Sequence, residues 1–282
     1  MSLALELKGV VKEYEGFKLD HLDLALPKGC IMGLIGENGA GKSTTIKLIL
    51  DLIQRDGGEI NIFGQSNLDN LKGLKENIGV VHDESYFPEA INANQINKIM
   101  KNIYITWNEQ AFIGYLDRFS IQRKKPLKEY SRGMKMKLSI ATAFSHDSKL
   151  LILDEATSGL DPVVRDEILT LFQDFIQDEE KSILMSSHIV SDLEKVCDYI
   201  VFIHKGKLIF NEPKDELLEK YCILKCDYPE FESIDPSLII GSRKSAYGIE
   251  ALIKRTAQKF SGIVDQATIE DIMLFYIKEA DK

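Results

Sequence analysis

The sequence contains few cysteines, and none of its apolar runs is long. Four cysteines are spread over 282 residues, which excludes the disulfide-dense class of small secreted proteins. Only Cys222 and Cys226 stand close together, and no histidine-rich segment accompanies them, so free thiols are expected rather than a zinc site. Apolar runs such as 30–35 and 150–153 fall far short of the roughly 20 residues that a membrane-spanning helix needs. We therefore expect a chain that does not cross a bilayer by itself.

Basic residues are outnumbered by acidic ones. There are 35 Lys and Arg against 44 Asp and Glu, a formal net charge of −9. Nucleic-acid binding depends on a basic surface, so this balance predicts no nucleic-acid partner. One basic cluster, within residues 123–137, is local and is either a solvated face or part of a site. With 44% apolar and 28% charged residues, the composition excludes general disorder.

Apolar patterning predicts an α/β core with a helical insert. Strands are expected within 3–35, then at 59–63, 78–81, 149–153, 182–186, 198–203 and 208–210. The N-terminus alternates like a strand and lacks the layout of a signal peptide. From about 85 to 147 the spacing is mainly helical, with a capping box at Thr106–Glu109. Asp161 and Pro162 predict the start of another helix.

The chain beyond Pro213 has a weaker pattern. It favours helices at 215–221, 249–260 and 269–277, and strands at 223–226 and 238–240. We therefore expect a main domain at residues 1–212 and a small C-terminal α/β accessory domain at 213–282.

The segment from Gly36 to Ser43 fits the phosphate-binding pattern G-x-x-x-x-G-K-[ST]. It stands between a predicted buried strand and a predicted helix, which is the context that the pattern requires. Glycines allow backbone N–H groups to curl around oxyanions, and the helix adds its positive N-terminal end. We expect Lys42 to reach the β and γ phosphates of a nucleotide and Ser43 to bind Mg²⁺. The alternative is a glycine turn with a surface lysine.

The apolar strand at 150–153 is followed directly by Asp154 and Glu155. Because desolvating an unpaired charge is costly, adjacent acids at the end of a buried strand indicate a site. Ligands of parallel sheets bind at this end of the strands. We expect Asp154 to hold Mg²⁺ through water and Glu155 to polarise an attacking water. A solvated strand end is the alternative.

Ser131 precedes a predicted helix through Lys137 and Ile140. A serine there is typical of an N-cap, and that interpretation stays open beside a functional one. The helix N-terminus and its basic surroundings would also suit a phosphate group.

Together these motifs resemble the ATP-binding subunits of ABC transporters, over residues from about 3 to 212. The resemblance implies an α/β P-loop NTPase core with an antiparallel β subdomain, a helical insert and a C-terminal appendage. It implies ATP hydrolysis with Mg²⁺, with Asp154 closing the Walker B strand and Glu155 and His188 taking part in catalysis. The ATP-binding residues that it assigns are Tyr14, which stacks on adenine, Gly36, Asn38, Gly39, Ala40, Gly41, Lys42, Ser43 and Thr44 of Walker A, Ser131 and Gly133 of the signature motif, and Asp161 of the D-loop.

Two segments depart from the family pattern. Arg132 and Met134 replace the usual glycine and glutamine of the signature motif. Asp83 stands where the family usually has a glutamine, whose amide reaches Mg²⁺ and the attacking water. Aspartate would be a Mg²⁺ ligand with a shorter arm and an added charge, so the carried-over role of this position stays open.

The segments 81–84, 130–135 and 267–273 resemble a narrower branch, the bacterial exporter ATPases of the bacitracin-resistance and phenol-soluble-modulin types. That branch implies export of amphipathic or antimicrobial peptides. The family also implies a head-to-tail pair of ATP-binding subunits, a homodimer or a heterodimer. The partner would be an integral membrane permease subunit docked near residues 83–90, with this chain peripheral on the cytoplasmic face of the cell membrane.

Two other functions stay open. A soluble ABC ATPase acting on ribosomes or DNA usually has two nucleotide-binding halves or a long coiled-coil insertion, and this sequence has neither. The departure at Asp83 would also suit a weakly catalytic regulatory or immunity module that binds ATP.

Overall fold

The computed structural model describes residues 2–69, 71–82, 86–245 and 248–280. The strands are β1 (Leu3–Tyr14), β2 (Phe17–Pro27), β3 (Ile31–Ile35), β4 (Gly57–Ile62), β5 (Gln65–Ser66), β6 (Ile78–Val81), β7 (Leu150–Asp154), β8 (Ser182–Ser186), β9 (Tyr199–His204), β10 (Lys207–Pro213), β11 (Tyr221–Cys226), β12 (Ile239–Ser245), β13 (Gly248–Lys254) and β14 (Ile263–Gln266). The helices are α1 (Lys42–Ile49), α2 (Leu71–Glu76), α3 (Ala93–Ile103), α4 (Glu109–Arg118), α5 (Arg132–Ala143), α6 (Pro162–Phe175), α7 (Val190–Val196), α8 (Lys214–Lys220), α9 (Tyr228–Glu232) and α10 (Ile269–Ala280).

The central sheet has the strand order β10-β9-β3-β8-β7-β6. Its strands β9, β3, β8, β7 and β6 pair in parallel, and only β10 runs antiparallel to its neighbour among these described strands. The carboxyl ends of β3, β7 and β8 therefore lie side by side at one edge. This edge carries the segments that follow Ile35, Asp154 and Ser186.

Each face of the central sheet packs into its own core. Alternation along the strands separates the side chains, as Leu150 and Ile152 face one core and Leu151 and Leu153 face the other. The first core joins α1 to an antiparallel sheet of order β2-β1-β4-β5. The second core joins the helical insert, α6 and α7. The sheet is thus buried on both sides, as its continuous apolar strands predict.

The helical insert confirms the expected spacing but not the expected cap of α4. Asn108, not Thr106, is the N-cap, and its side chain accepts from the backbone N–H of Ala111 at 2.9 Å. The Thr106 hydroxyl donates instead to Glu76 Oε1 at 3.0 Å. Because the Thr106 side chain bonds to Glu76, far away in the sequence, α4 starts two residues later than predicted.

The C-terminal segment forms a sheet of order β12-β13-β11-β14 covered by α10. The helix predicted at 249–260 is wrong, because Gly248–Lys254 is the strand β13 between β11 and β12. Ile249, Ala251 and Ile253 face one core of this sheet, while Leu252 faces the other. A short apolar run fits either period, and here pairing with two strands decides the outcome.

Every helix in the part of the chain that the structure describes is too short or too polar to span a lipid bilayer.

Candidate nucleotide site

The phosphate-binding segment joins β3 to α1 as predicted. Gly36, Gly39 and Gly41 have φ values of 155°, 81° and 119°, a region that side chains with a Cβ disfavour. Gly36 also lacks room, since an added Cβ would lie 2.3 Å from the carbonyl oxygen of Ile203. The glycines therefore satisfy a backbone requirement of this loop.

Lys42 is almost completely buried at the first turn of α1, with 6% of its surface exposed. Its Nζ donates to the carbonyl oxygens of Gly36 at 2.7 Å and of Glu37 at 3.2 Å. Burial lowers the pKa of the Lys42 amine, and the charges of Glu155 and Asp154 oppose that shift. The loop thus holds a desolvated cation beside two carboxylates.

Asp154 ends β7 and is buried. Its Oδ1 accepts from Ser186 Oγ at 2.6 Å and from Ser43 Oγ at 3.3 Å. The carboxylate therefore joins the ends of β7 and β8 to the first turn of α1. The sequence indicated Asp154 and Ser43, whereas the Ser186 contact depends on strand order.

Glu155 and His188 meet at the sheet edge. Glu155 Oε2 lies 2.5 Å from His188 Nδ1, and the backbone N–H of Glu155 donates to Ser186 Oγ at 3.1 Å. Glu155 has a φ of 53°, which few residues other than glycine adopt. A carboxylate and an imidazole held together in this way can orient a water and accept its proton.

The signature and D-loop segments also adjoin each other. Ser131 caps α5, since its Oγ accepts from the backbone N–H of Met134 at 3.2 Å. Asp161 caps α6 through the N–H of Val164 at 3.1 Å, and Pro162 is the first helical residue, as predicted. Ser131 thus has the geometry of an N-cap, and this geometry is compatible with a second role for its side chain.

A cleft of about 580 Å³ lies above these elements. Its lining residues are Phe17, Glu37, Asn38, Gly39, Gly41, Lys42, Ser43, Thr44, Arg132, Glu155, Ser158 and His188. The structure therefore brings most of the predicted phosphate-loop and catalytic residues together in one space.

Some predicted residues lie elsewhere. Gly36, Ala40, Ser131, Gly133 and Asp161 do not line this cleft in their own chain. Asp83, the predicted metal ligand, lies outside the described residues.

Phe17 lines the cleft, whereas Tyr14, the predicted adenine contact, is not among its lining residues. Tyr14 is 45% exposed, and the centroid of its ring lies 5.3 Å from Lys12 Nζ. Phe17 is its partner across the β1–β2 hairpin, and its ring would come within 3.2 Å of a Cβ on Gly41. The only sequence signal for Phe17 was an aromatic beside the turn residue Gly16.

Comparison with known proteins agrees with this geometry. Residues 19–158 match the family described as ABC transporter. The bacitracin transport ATP-binding protein BcrA of Bacillus licheniformis is 35% identical over 223 residues, which are 78% of this chain and 73% of BcrA. The chain belongs to the ABC transporter family. This ABC protein is therefore an ATP-binding subunit and an ATPase that powers transport.

Other ABC proteins match over a similar length. The lantibiotic transport ATP-binding protein SrtF of Streptococcus pyogenes is 33% identical over 214 residues, 75% of this chain and 91% of SrtF. The solved structure of an ATP binding subunit of an ABC transporter aligns with a TM-score of 0.68 at 27% identity, over 76% of this chain and 91% of the other. The predicted P-loop α/β fold is confirmed.

Proposed function

We propose that the transport powered by this ABC ATPase is the export of amphipathic or antimicrobial peptides. BcrA is named for bacitracin transport and SrtF for lantibiotic transport, and the resemblance of the signature and tail segments supports the same branch. Within this proposal, residues 1–212 form the ATPase domain and residues 213–282 an accessory domain.

The observation that carries the catalytic part is the meeting of Lys42, Glu155 and His188 in one cleft. Lys42 binds the β and γ phosphates of ATP. Glu155 accepts a proton from the attacking water, and His188 Nδ1, at 2.5 Å, holds its carboxylate in place. Phe17 lines the cleft and would contact the base, while Tyr14 stays a predicted adenine contact.

Asp154 at the end of β7 and Ser43 in the first turn of α1 fit Mg²⁺. Ser43 Oγ and Asp154 Oδ1 lie 3.3 Å apart, and hydroxyl and carboxylate oxygens are the donors that this ion prefers. Held by these residues, Mg²⁺ would neutralise negative charge on the phosphate oxygens of ATP. Asp83 stays a predicted third ligand.

We propose that two ATP-binding subunits pair head to tail. Ser131 and Gly133 do not line the cleft of their own chain, although the N-terminus of α5 suits a phosphate. In a head-to-tail pair they would close over the ATP held by Lys42 of the other chain. A homodimer is the simplest such pair, and ATP is then part of its interface.

The substitution Glu155→Gln tests this mechanism. It keeps the size of the side chain but removes the base, so turnover should nearly stop while bound ATP holds the dimer closed. Size-exclusion chromatography should then show dimers with MgATP and monomers without it.

The matched control is Glu180→Gln, which changes an exposed carboxylate paired with Lys28. Exposed ion pairs contribute little to stability, so this variant should hydrolyse ATP like the wild type. Full turnover by Glu155→Gln would exclude Glu155 as the catalytic base.

We propose further that a membrane permease subunit docks in a groove between the core and the helical insert. A cavity of about 240 Å³ adjoins a second cavity, and both include Leu52 and His82 in their walls. The first is lined by Ile49, Leu50, Leu52, Ile62, Asn67, Leu74, Lys75, Ile78, Val80, His82 and Tyr104. The second is lined by Lys47, Leu52, Ile53, His82 and Tyr86. Tyr86 is 71% exposed and Leu52 is 55% exposed. Apolar surface beside Lys47 and Lys75 fits an amphipathic cytoplasmic segment with acidic residues. The chain would thus lie on the cytoplasmic face of the membrane.

Leu52→Asp should abolish this docking, because it places a charge in the apolar groove. The measurement is affinity purification from detergent-solubilised membranes, with the co-purifying subunits identified. Ile263→Asp makes the same kind of change at a residue that is 65% exposed on β14, and it should leave membrane recruitment intact. Equal recruitment of both variants would exclude the groove.

A further inference from the structure

Arg132, the first residue of α5, lines the same cleft as Glu155 and His188. Its Nη2 donates to Ser158 Oγ at 3.3 Å. Its Cδ and Nε lie 3.3 and 3.5 Å from the place of a Cβ on Gly159, so the arginine side chain covers that backbone. The glycine usual at this position of the signature motif has no side chain to make either contact.

Ser158 is in turn connected to Glu155. The backbone N–H of Ser158 donates to the carbonyl oxygen of Glu155 at 3.0 Å, which closes a turn over residues 155–158. Glu155 adopts a φ of 53°, and such a conformation persists only where surrounding contacts enforce it. His188 holds the carboxylate of Glu155, while Ser158 holds its backbone.

We propose that Arg132 is a positioning residue for ATP hydrolysis, whose guanidinium fixes the Ser158 hydroxyl and so the turn that presents the Glu155 carboxylate. This role deepens the proposed function of Glu155 and rests on it. Arg132 and Ser158 act as one unit, and removing either partner loosens the same turn. Binding of ATP depends on the phosphate loop and is left largely unchanged.

The test compares the full-length wild type with Arg132→Ala, Ser158→Ala and the double variant. A hydrogen bond from a charged donor supports an effect of about tenfold, so each single variant should lower kcat by about that factor. KM for ATP should stay within about twofold, and the double variant should be no slower than the singles, because the two residues share one interaction. Arg123→Ala, which removes a surface pair with Asp117, should retain wild-type kinetics.

Hydrogen–deuterium exchange provides a second measurement that needs no turnover. The backbone N–H of Ser158 should exchange faster in Arg132→Ala and in Ser158→Ala than in the wild type or Arg123→Ala. Unchanged exchange at Ser158 in Arg132→Ala would overturn the proposal, as would additive losses of kcat.

A third result would also overturn it. A raised KM in Arg132→Ala with normal kinetics in Ser158→Ala would mean that the guanidinium binds the nucleotide directly. Failure of the proposed function is distinguishable, since Glu155→Gln would then hydrolyse ATP while the exchange result at Ser158 stood.

Discussion

The buried amine of Lys42 makes the phosphate loop suited to an anion. Its amine is desolvated, and two backbone carbonyl oxygens replace part of the lost water. Burial outweighs the favourable charges of Glu155 and Asp154, so the pKa of Lys42 lies below its ordinary value near 10.5. Phosphate oxygens would stabilise the protonated amine further. If Lys42 contacts ATP as proposed, binding of ATP and protonation of Lys42 favour each other.

We expect the affinity for ATP to fall at alkaline pH, at pH values below those at which an ordinary lysine loses its proton. As pH rises through the lowered pKa, the amine loses its proton and its attraction for phosphate, and the affinity drops by up to about tenfold per pH unit. Isothermal titration calorimetry from about pH 7 to pH 10 measures this decline. Lys42→Arg should bind more weakly but with a flatter pH profile, because the guanidinium stays protonated. Identical pH profiles for the two proteins would contradict the expectation.

Among the secondary-structure elements, the β9–β10 hairpin supports the phosphate loop through its turn at 204–207. The backbone N–H of Gly206 donates to the carbonyl oxygen of Ala40 at 2.9 Å, and the carbonyl oxygen of Gly206 accepts from Asp20 at 2.8 Å. His204 Nδ1 lies 3.2 Å from Glu37 Oε2. The hairpin thus connects the predicted phosphate loop to the antiparallel sheet.

Gly206→Ala should destabilise the protein and weaken ATP binding. Gly206 has a φ of 76°, and an added Cβ would lie 1.8 Å from the carbonyl oxygen of Lys18. Gly64→Ala is the matched control, because Gly64 has a φ of 77° but nothing within 4 Å of an added Cβ. Both variants incur a left-handed backbone penalty of about 1–2 kcal/mol, and only Gly206→Ala adds a clash. Thermal unfolding and ATP titration should separate them, and equal losses would mean that the turn does not brace the loop.

In the molecule as a whole, the C-terminal segment shares a hydrophobic core with the helices and strands that precede it. Phe210 of β10 and Tyr276 of α10 have ring centroids 5.8 Å apart, and the Tyr276 hydroxyl lies 2.7 Å from that of Tyr221. Glu194 of α7 accepts from the backbone N–H of Ile269 at 2.7 Å. Since α7 follows His188 closely, α10 packs on the helix next to the histidine that we propose to be catalytic.

Ile272→Ala should therefore lower the stability of the whole protein. Ile272 is fully buried in the core that includes Phe202 of the central sheet, and such a truncation costs about 2–5 kcal/mol. Differential scanning calorimetry should show one transition at a lower Tm, still raised by ATP. Ile263→Ala, at an exposed position of the same segment, should leave Tm nearly unchanged. Two separate transitions would show that the C-terminal segment unfolds independently.

Local signals predicted the parts of the molecule that depend on local geometry. The glycine spacing placed the phosphate loop, Asp161 and Pro162 marked the start of α6, and the apolar period placed α10. These features need only neighbouring residues to form. The same reasoning failed at 249–260 and at Thr106, where a second strand and the side chain of Glu76 decided the structure.

Motifs in the sequence were enough to predict Lys42, Asp154 and Glu155 as the residues that carry the chemistry, because each stands in a motif with a required spacing. The hydrogen-bond partners of Asp154 and Glu155 depend on the tertiary structure. The order of strands β3, β8 and β7 places Ser186 on Asp154 and His188 on Glu155, while hairpin pairing brings Phe17 to the cleft. Such contacts join residues far apart in the chain, and no periodicity or local spacing encodes them.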